Sequence, residues 1–155
     1  MALIERNQMI VETTSEDYTS LICGCAPRTF TLADTPIAPA PVLEMLAEVA
    51  AKIRQTFTPA SWLIVHDNEV VGMCSVTRSP ENGVIDIGYG IAASQAIADI
   101  VEWASNTPGI NTVTAETSLD NRASQRVLQR NGFAMIGERY DEEDGQLIRW
   151  CRFTK

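Results

Sequence analysis

A mixed α/β domain is the fold class this sequence predicts, and three local patterns predict it. From Gly83 to Ile91, the residues Val84, Ile85, Ile87, Tyr89 and Ile91 make a β-rich run; Ile97, Ile100, Val101 and Ala104 then recur at helical spacing from about Ser94; and Thr112 to Thr117 is β-rich again. Strand, helix and strand at this separation form a crossover unit, so the two strands can lie parallel as neighbours with a right-handed connection. Trp62 to Val65 and Val70 to Val76 flank the short polar turn Asp67-Asn68, which reads as a hairpin. Val42, Leu46, Val49, Ala50, Ile53 and Phe57 make one apolar helical stripe, opened by Pro41, a residue suited to a first turn.

The remaining elements fit around this frame. Met9 to Thr13 alternates weakly as a strand, and Ser15-Glu16-Asp17 supplies an N-cap with acids in the first turn of a short helix. Pro27 to Pro41 holds four prolines and little periodicity, so it reads as an irregular loop that can shape a substrate pocket. After Thr117 a helix opens at Asp120 or Asn121, carries Ala123, Val127 and Leu128, and stops at Asn131-Gly132, where glycine can take the left-handed conformation. Phe133 to Arg139 and Gln146 to Phe153 are two strands around the acidic turn Asp141-Glu142-Glu143-Asp144-Gly145. Trp62, Trp103 and Trp150 lie in apolar patterns and are expected to pack.

At 155 residues the chain suits one domain, spanning 1–155, with an ordinary globular share of 45% hydrophobic and 21% charged residues. A formal net charge of -8 argues against nucleic acid, whose binding rests on dense lysine and arginine contacts, and tilts toward an amine or basic peptide. No run approaches the ~20 apolar residues of a membrane span, and Met1 to Asn7 has no apolar signal core, so no membrane partner and a cytoplasmic location are expected. Cys23, Cys25, Cys74 and Cys151 lack metal-site spacing and read as reduced structural thiols; His66, beside a turn, reads as a surface residue. No metal is expected.

The run Ala115-Glu116-Thr117-Ser118-Leu119-Asp120-Asn121-Arg122-Ala123-Ser124-Gln125-Arg126-Val127-Leu128-Gln129-Arg130-Asn131-Gly132-Phe133 resembles the GNAT N-acetyltransferase superfamily, nearest the branch that acetylates ribosomal-protein N-termini. The pattern is Asn-x-x-Ser-x-x-Val-Leu followed by Gly-Phe, after a strand and on a helix. Asp86-Ile87-Gly88-Tyr89-Gly90-Ile91 resembles the family's central strand, and Ile136-Gly137-Glu138-Arg139 with Leu147-Ile148-Arg149-Trp150 resembles its last two strands. The likeness covers Trp62 to Arg152 and implies a GNAT-like acyl-CoA N-acyltransferase fold, with a mixed central sheet flanked by helices.

In such enzymes the central strand diverges from its parallel neighbour, coenzyme A enters the gap, and a loop of the form Gln/Arg-x-x-Gly-x-Gly/Ala wraps the pyrophosphate. Here Tyr89-Gly90-Ile91 runs straight into Ala92-Ala93-Ser94-Gln95-Ala96, so that loop is missing. Gly88 and Gly90 lie within the strand and read as close packing or a bulge. The resemblance implies acetyl-CoA as co-substrate, bound weakly or not at all, with Gly88, Tyr89, Gly90, Ile91, Asn121 and Ser124 as its contacts.

Asn121 matches the family asparagine that bonds the pantetheine arm, and is equally a routine N-cap. Ser124 matches the hydroxyl proposed to protonate the departing thiolate, and is otherwise a first-turn serine bonding local backbone. Leu128 stands where other branches carry a tyrosine acid. Amine acetylation also needs a proton acceptor; Asp86 matches a frequent strand glutamate and Glu116 is second, each alternatively a solvated strand carboxylate. Tyr140 can line the acceptor cleft or simply pack.

Two functions follow. One is transfer of an acetyl group from acetyl-CoA to a small-molecule amine or a peptide N-terminus, with Arg122 and Arg126 compensating at the pyrophosphate. The other is a GNAT-fold protein that has lost cofactor turnover and binds a ligand or partner. Oligomeric state stays open, a homodimer included.

Overall fold

The computed structural model describes residues 8–34, 37–90 and 94–154. Within them lie eight strands and four helices, a mixed α/β fold arranged as two compact units. One unit holds the described residues up to Ser75 together with Tyr89 and Gly90; the other holds Val76–Gly88 and the described residues from Ser94 onward.

The first unit contains β1 (Gln8–Glu12), α1 (Ser15–Ile22), β2 (Thr31–Leu32), α2 (Ala40–Ile53), β3 (Ser61–His66) and most of β4 (Glu69–Val76). β3 pairs antiparallel with both β1 and β4. The β3–β4 hairpin turns on Asp67 (φ 48) and Asn68 (φ 67), two residues in the left-handed region that a tight two-residue turn demands. β2 adds a two-residue parallel pairing to β4 inside the stretch expected to be irregular throughout.

The cap of α1 is Thr14, not Ser15. Thr14 has extended backbone, its side chain accepts from Asp17 N at 3.2 Å, and Asp17 Oδ2 accepts from Thr14 N at 2.8 Å. A reciprocal box needs hydroxyl and acid three residues apart, and only Thr14 meets that spacing to Asp17. The phase of α2 also differs: Leu43, Ala50 and Ile53 are buried while Val42 is exposed. This face packs on α1, where Tyr18 and Leu21 are buried. Each fully buried large apolar side chain contributes roughly 1.5–3 kcal/mol.

The second unit contains β5 (Val84–Tyr89, apart from its last residue), α3 (Ser94–Ser105), β6 (Thr112–Ser118), α4 (Arg122–Arg130), β7 (Ala134–Asp141) and β8 (Gly145–Phe153). The strand order is β5-β6-β8-β7, with β5 and β6 parallel and the other pairs antiparallel. Ile97, Ile100 and Ala104 of α3 are buried, as the apolar spacing predicts, and α3 packs on β6 and α4. Gly132 (φ +79) ends α4 in the left-handed conformation. Trp62 and Trp150 are buried; Trp150 Nε1 donates to Thr117 Oγ1 at 2.9 Å, which satisfies the one polar atom of its ring.

Candidate active site

The parallel pairing of β5 with β6 runs from Val84↔Thr112 to Ile87↔Ala115, and the described pairs end there. β6 continues through Glu116, Thr117 and Ser118, paired on its other side to β8. β5 continues through Gly88 and Tyr89. Two neighbouring strands that stop pairing before they end leave backbone N–H and C=O groups that must find other partners. Gly88 sits at this point, and a Cβ on it would stand 3.3 Å from Thr77 Cγ2, so its reading as a close-packed position holds; a Cβ on Gly90 would meet nothing within 4 Å. Tyr89 is half-buried and Gly90 exposed; Ile91 lies outside the described residues.

β6 leads into α4 through a short turn that Gln125 staples, its Nε2 donating to Ser118 O at 3.1 Å and Leu119 O at 3.0 Å. Asn121 caps α4: its Oδ1 accepts from Ser124 N at 3.2 Å. Ser124 is buried together with Leu128, one turn along the same face, whereas Ala123 is exposed. The apolar pattern placed Ala123 on the inner face; the helix is rotated so that the serine takes that place. Arg122 and Arg126 are exposed and sit about 160° around the helix from Ser124, at ~100° per residue. They present their charge away from the serine.

Asp86 lies on β5 and is buried. Its Oδ1 accepts from Thr114 Oγ1 at 2.5 Å and its Oδ2 from Thr77 Oγ1 at 2.5 Å, and Arg78 Nη2 stands 4.0 Å away. Both carboxylate oxygens are therefore engaged. Glu116 is held by a fork: Arg139 Nε donates to Oε2 at 2.5 Å and Nη2 to Oε1 at 2.8 Å, and Arg149 Nε stands 3.5 Å from Oε2. The hydrogen bonds from Arg139 hold the Glu116 carboxyl below the ordinary carboxylate range, against the opposing pull of its partial burial. Thr77 and Thr114 carry no motif that would single them out in a sequence, and Arg139 and Arg149 stand there only within the runs that resemble the family's last two strands, with no role for their side chains. The alternation Thr112-x-Thr114-x-Glu116 is the one legible signal, since it puts three polar side chains on one face of β6.

The other expected groups are dispersed. His66 is half-exposed beside Asp67, and Tyr140 is exposed. The four cysteines are free thiols; burial pushes the Cys74 thiol well up, which keeps it protonated and inert. Among the described residues no helix is long and apolar enough to cross a membrane.

A family model described as the acetyltransferase (GNAT) domain matches residues 9–134. The chain belongs to the GNAT acetyltransferase family. The matched stretch includes residues of both compact units. A curated relative, the uncharacterized N-acetyltransferase YjdG of Bacillus subtilis (strain 168), is 29% identical over 119 residues, covering 70% of this chain and 68% of that protein. Among solved structures, RimL, a ribosomal L7/L12 alpha-N-protein acetyltransferase in complex with coenzyme A, superposes with a TM-score of 0.69 at 16% identity, over 97% of this chain and 96% of its own. A spermidine N-acetyltransferase SpeG chimera from Vibrio cholerae and hSSAT gives 0.70 at 11% identity, over 96% of each chain. At such identities the likeness establishes the GNAT fold and nothing finer.

Proposed function

We propose that this protein transfers an acetyl group from acetyl-CoA to a primary amine, as one catalytic domain, at the point where β5 and β6 part company. The observation that carries the reading is the end of pairing at Ile87↔Ala115, with Gly88 immediately beyond it and the cap of α4 at the end of β6. On this reading a pantetheine arm would run beside Gly88, on the side where the described β5–β6 pairing has ended. Acetyl-CoA supplies the activated acyl group. Asn121 Oδ1, already accepting from Ser124 N, fixes the first turn of α4 and thereby the position of the Ser124 side chain. Ser124 would give a proton to the departing thiolate from that turn.

Glu116 is a weakened proton acceptor, because its arginine fork stabilises the ionised form. Asp86 has both oxygens occupied by hydroxyls, so it serves the amine best through Thr77 or Thr114, or by its charge alone. The fit of the chain to coenzyme A is uneven. The pantetheine side is supported by the end of the β5–β6 pairing and by Gly88, whereas the sequence Ala92-Ala93-Ser94 contains neither the loop glycines nor a cation for a pyrophosphate, and Arg122 and Arg126 point away from Ser124.

That last observation favours a second reading, a GNAT-fold binding module without turnover. Titration of the protein with acetyl-CoA by calorimetry, followed by a thiol-release assay with amine acceptors, separates the two. Heat of binding and acceptor-dependent thiol release support the transferase; absence of binding at millimolar acetyl-CoA would sink it.

A further inference from the structure

The open face of the second unit's sheet is, on paper, neutral, and in space it is not. Three acids on it, Asp86, Glu116 and Asp141, pair with three arginines, Arg78, Arg139 and Arg149. The acids are the more withdrawn members: side-chain exposure is 10% for Asp86, 25% for Glu116 and 31% for Asp141, against 64% for Arg78, 48% for Arg139 and 39% for Arg149. A molecule approaching this face therefore meets guanidinium N–H groups first. Arg139 is spent on the Glu116 fork, but Arg78 only grazes Asp86 at 4.0 Å and Arg149 only grazes Glu116 at 3.5 Å, so both retain donors for a further anion.

Register places these cations beside the candidate chemistry. Glu116 is the β6 residue directly after the last β5–β6 pair, and Arg149 is its partner on β8. Asp86, which Arg78 approaches, pairs with Thr114 one step back on the same face. From β5 to β7 the patch crosses three inter-strand gaps, about 14 Å at ~4.8 Å per gap. A single small carboxylate would touch one end of it. A chain with carboxylates on successive residues spans it.

We propose that this face is the acceptor subsite and that it selects a peptide whose residues just after the N-terminal amine carry carboxylates. The inference rests on the acetyl-transfer reading above, and it reverses what the net charge of -8 suggests, since a whole-chain charge does not set the field at one sheet face. A polyamine is the wrong ligand here: its ammonium groups would face exposed arginines and find the carboxylates already occupied. The acidic turn after β7 limits the path, because Gly145 lies four residues along β8 from Arg149, about 13 Å at ~3.3 Å per residue, so the peptide must extend toward Arg78.

The test uses C-terminally labelled peptides beginning Ser-Asp-Glu-Asp and, as an isosteric neutral control, Ser-Asn-Gln-Asn, with spermidine as the polycationic probe. Binding is read by anisotropy and acetyl transfer by thiol release, in the unaltered protein and in Arg78→Gln, Arg149→Gln and the double variant. These two arginines are chosen because Arg139 still holds Glu116 in either variant, and thermal melting checks that the fold is retained. The acidic peptide is expected to bind about tenfold or more tighter than the neutral one, as one charge-assisted contact provides, with the ratio falling as salt rises and collapsing toward one in the double variant. Equal binding of the two peptides, a ratio unmoved by the double variant, or a preference for spermidine overturns the inference. Selective binding of the acidic peptide without any transfer overturns the acetyl-transfer reading instead, and leaves an acidic-peptide binding site.

Discussion

Thr114 donates a 2.5 Å hydrogen bond to Asp86, its own register partner across the parallel pair β5–β6. Thr77 closes the other oxygen of the same carboxylate, so three chain segments meet at one buried charge. Removing it leaves two hydroxyls without their common acceptor. Asp86→Ala is expected to cost about 2–3 kcal/mol in urea unfolding and Thr114→Val about 1–2 kcal/mol, with the two effects non-additive because they share one bond. Additive losses would show that the pair is not coupled.

Ser124→Ala should depress kcat more than it raises KM, because a leaving-group acid acts chiefly in the transition state. Asn121→Ala should weaken acetyl-CoA binding and, through the lost cap on Ser124 N, lower stability by about 1 kcal/mol. Steady-state kinetics beside a denaturation curve for each variant separates these effects. A Ser124→Ala enzyme with unchanged kcat would remove that hydroxyl from the mechanism.

Glu116 makes the acid limb of stability informative. Its carboxyl titrates below its ordinary value of 4.5 in the folded state, because Arg139 donates to the ionised form. A depressed folded value means that the stabilisation is complete above 4.5 and is lost as pH falls through the folded value. Urea midpoints measured at about pH 7 and about pH 3 should differ less in Glu116→Gln than in the unaltered protein. An equal difference in both would mean that other carboxylates carry the acid sensitivity.

Gly88→Ala sets two demands against each other. The added Cβ would sit 3.3 Å from Thr77 Cγ2, tight but relieved by a few tenths of an ångström of movement, so the stability cost should stay near 1 kcal/mol or below. If the pantetheine arm runs beside this strand, acetyl-CoA affinity should fall by clearly more than the stability does. Calorimetry on the variant reads that difference directly.

Acetyl-CoA should bind more weakly here than to a relative with a full glycine loop. Several charge-assisted N–H contacts, each typically worth ~1.5–3 kcal/mol, amount to a few powers of ten in affinity. Inserting Gln-x-x-Gly-x-Gly between Ala92 and Ser94 should tighten binding, provided that the melting curve shows the fold intact. Micromolar binding by the unaltered chain would mean that other residues hold the pyrophosphate.

The hairpin at Asp67-Asn68, the crossover from β5 through α3 to β6, the stop at Gly132 and the family motif around Asn121 and Ser124 were all legible in the amino-acid order. Each depends on turn chemistry, on the period of apolar residues, or on residues close together in the chain. Phase and register were not legible. Val42 and Leu43 on α2, or Ala123 and Ser124 on α4, are chain neighbours ~100° apart around their helix, and only the surface they pack against decides which of each pair turns inward. Asp86 meets Thr114 across 28 residues and Glu116 meets Arg139 across 23. Period-two alternation says which face a side chain takes but not which strand lies alongside or at what offset. Tertiary packing alone therefore decided that the two carboxylates are clamped, where β5 and β6 stop pairing, and that arginines rather than acids meet the solvent beside them.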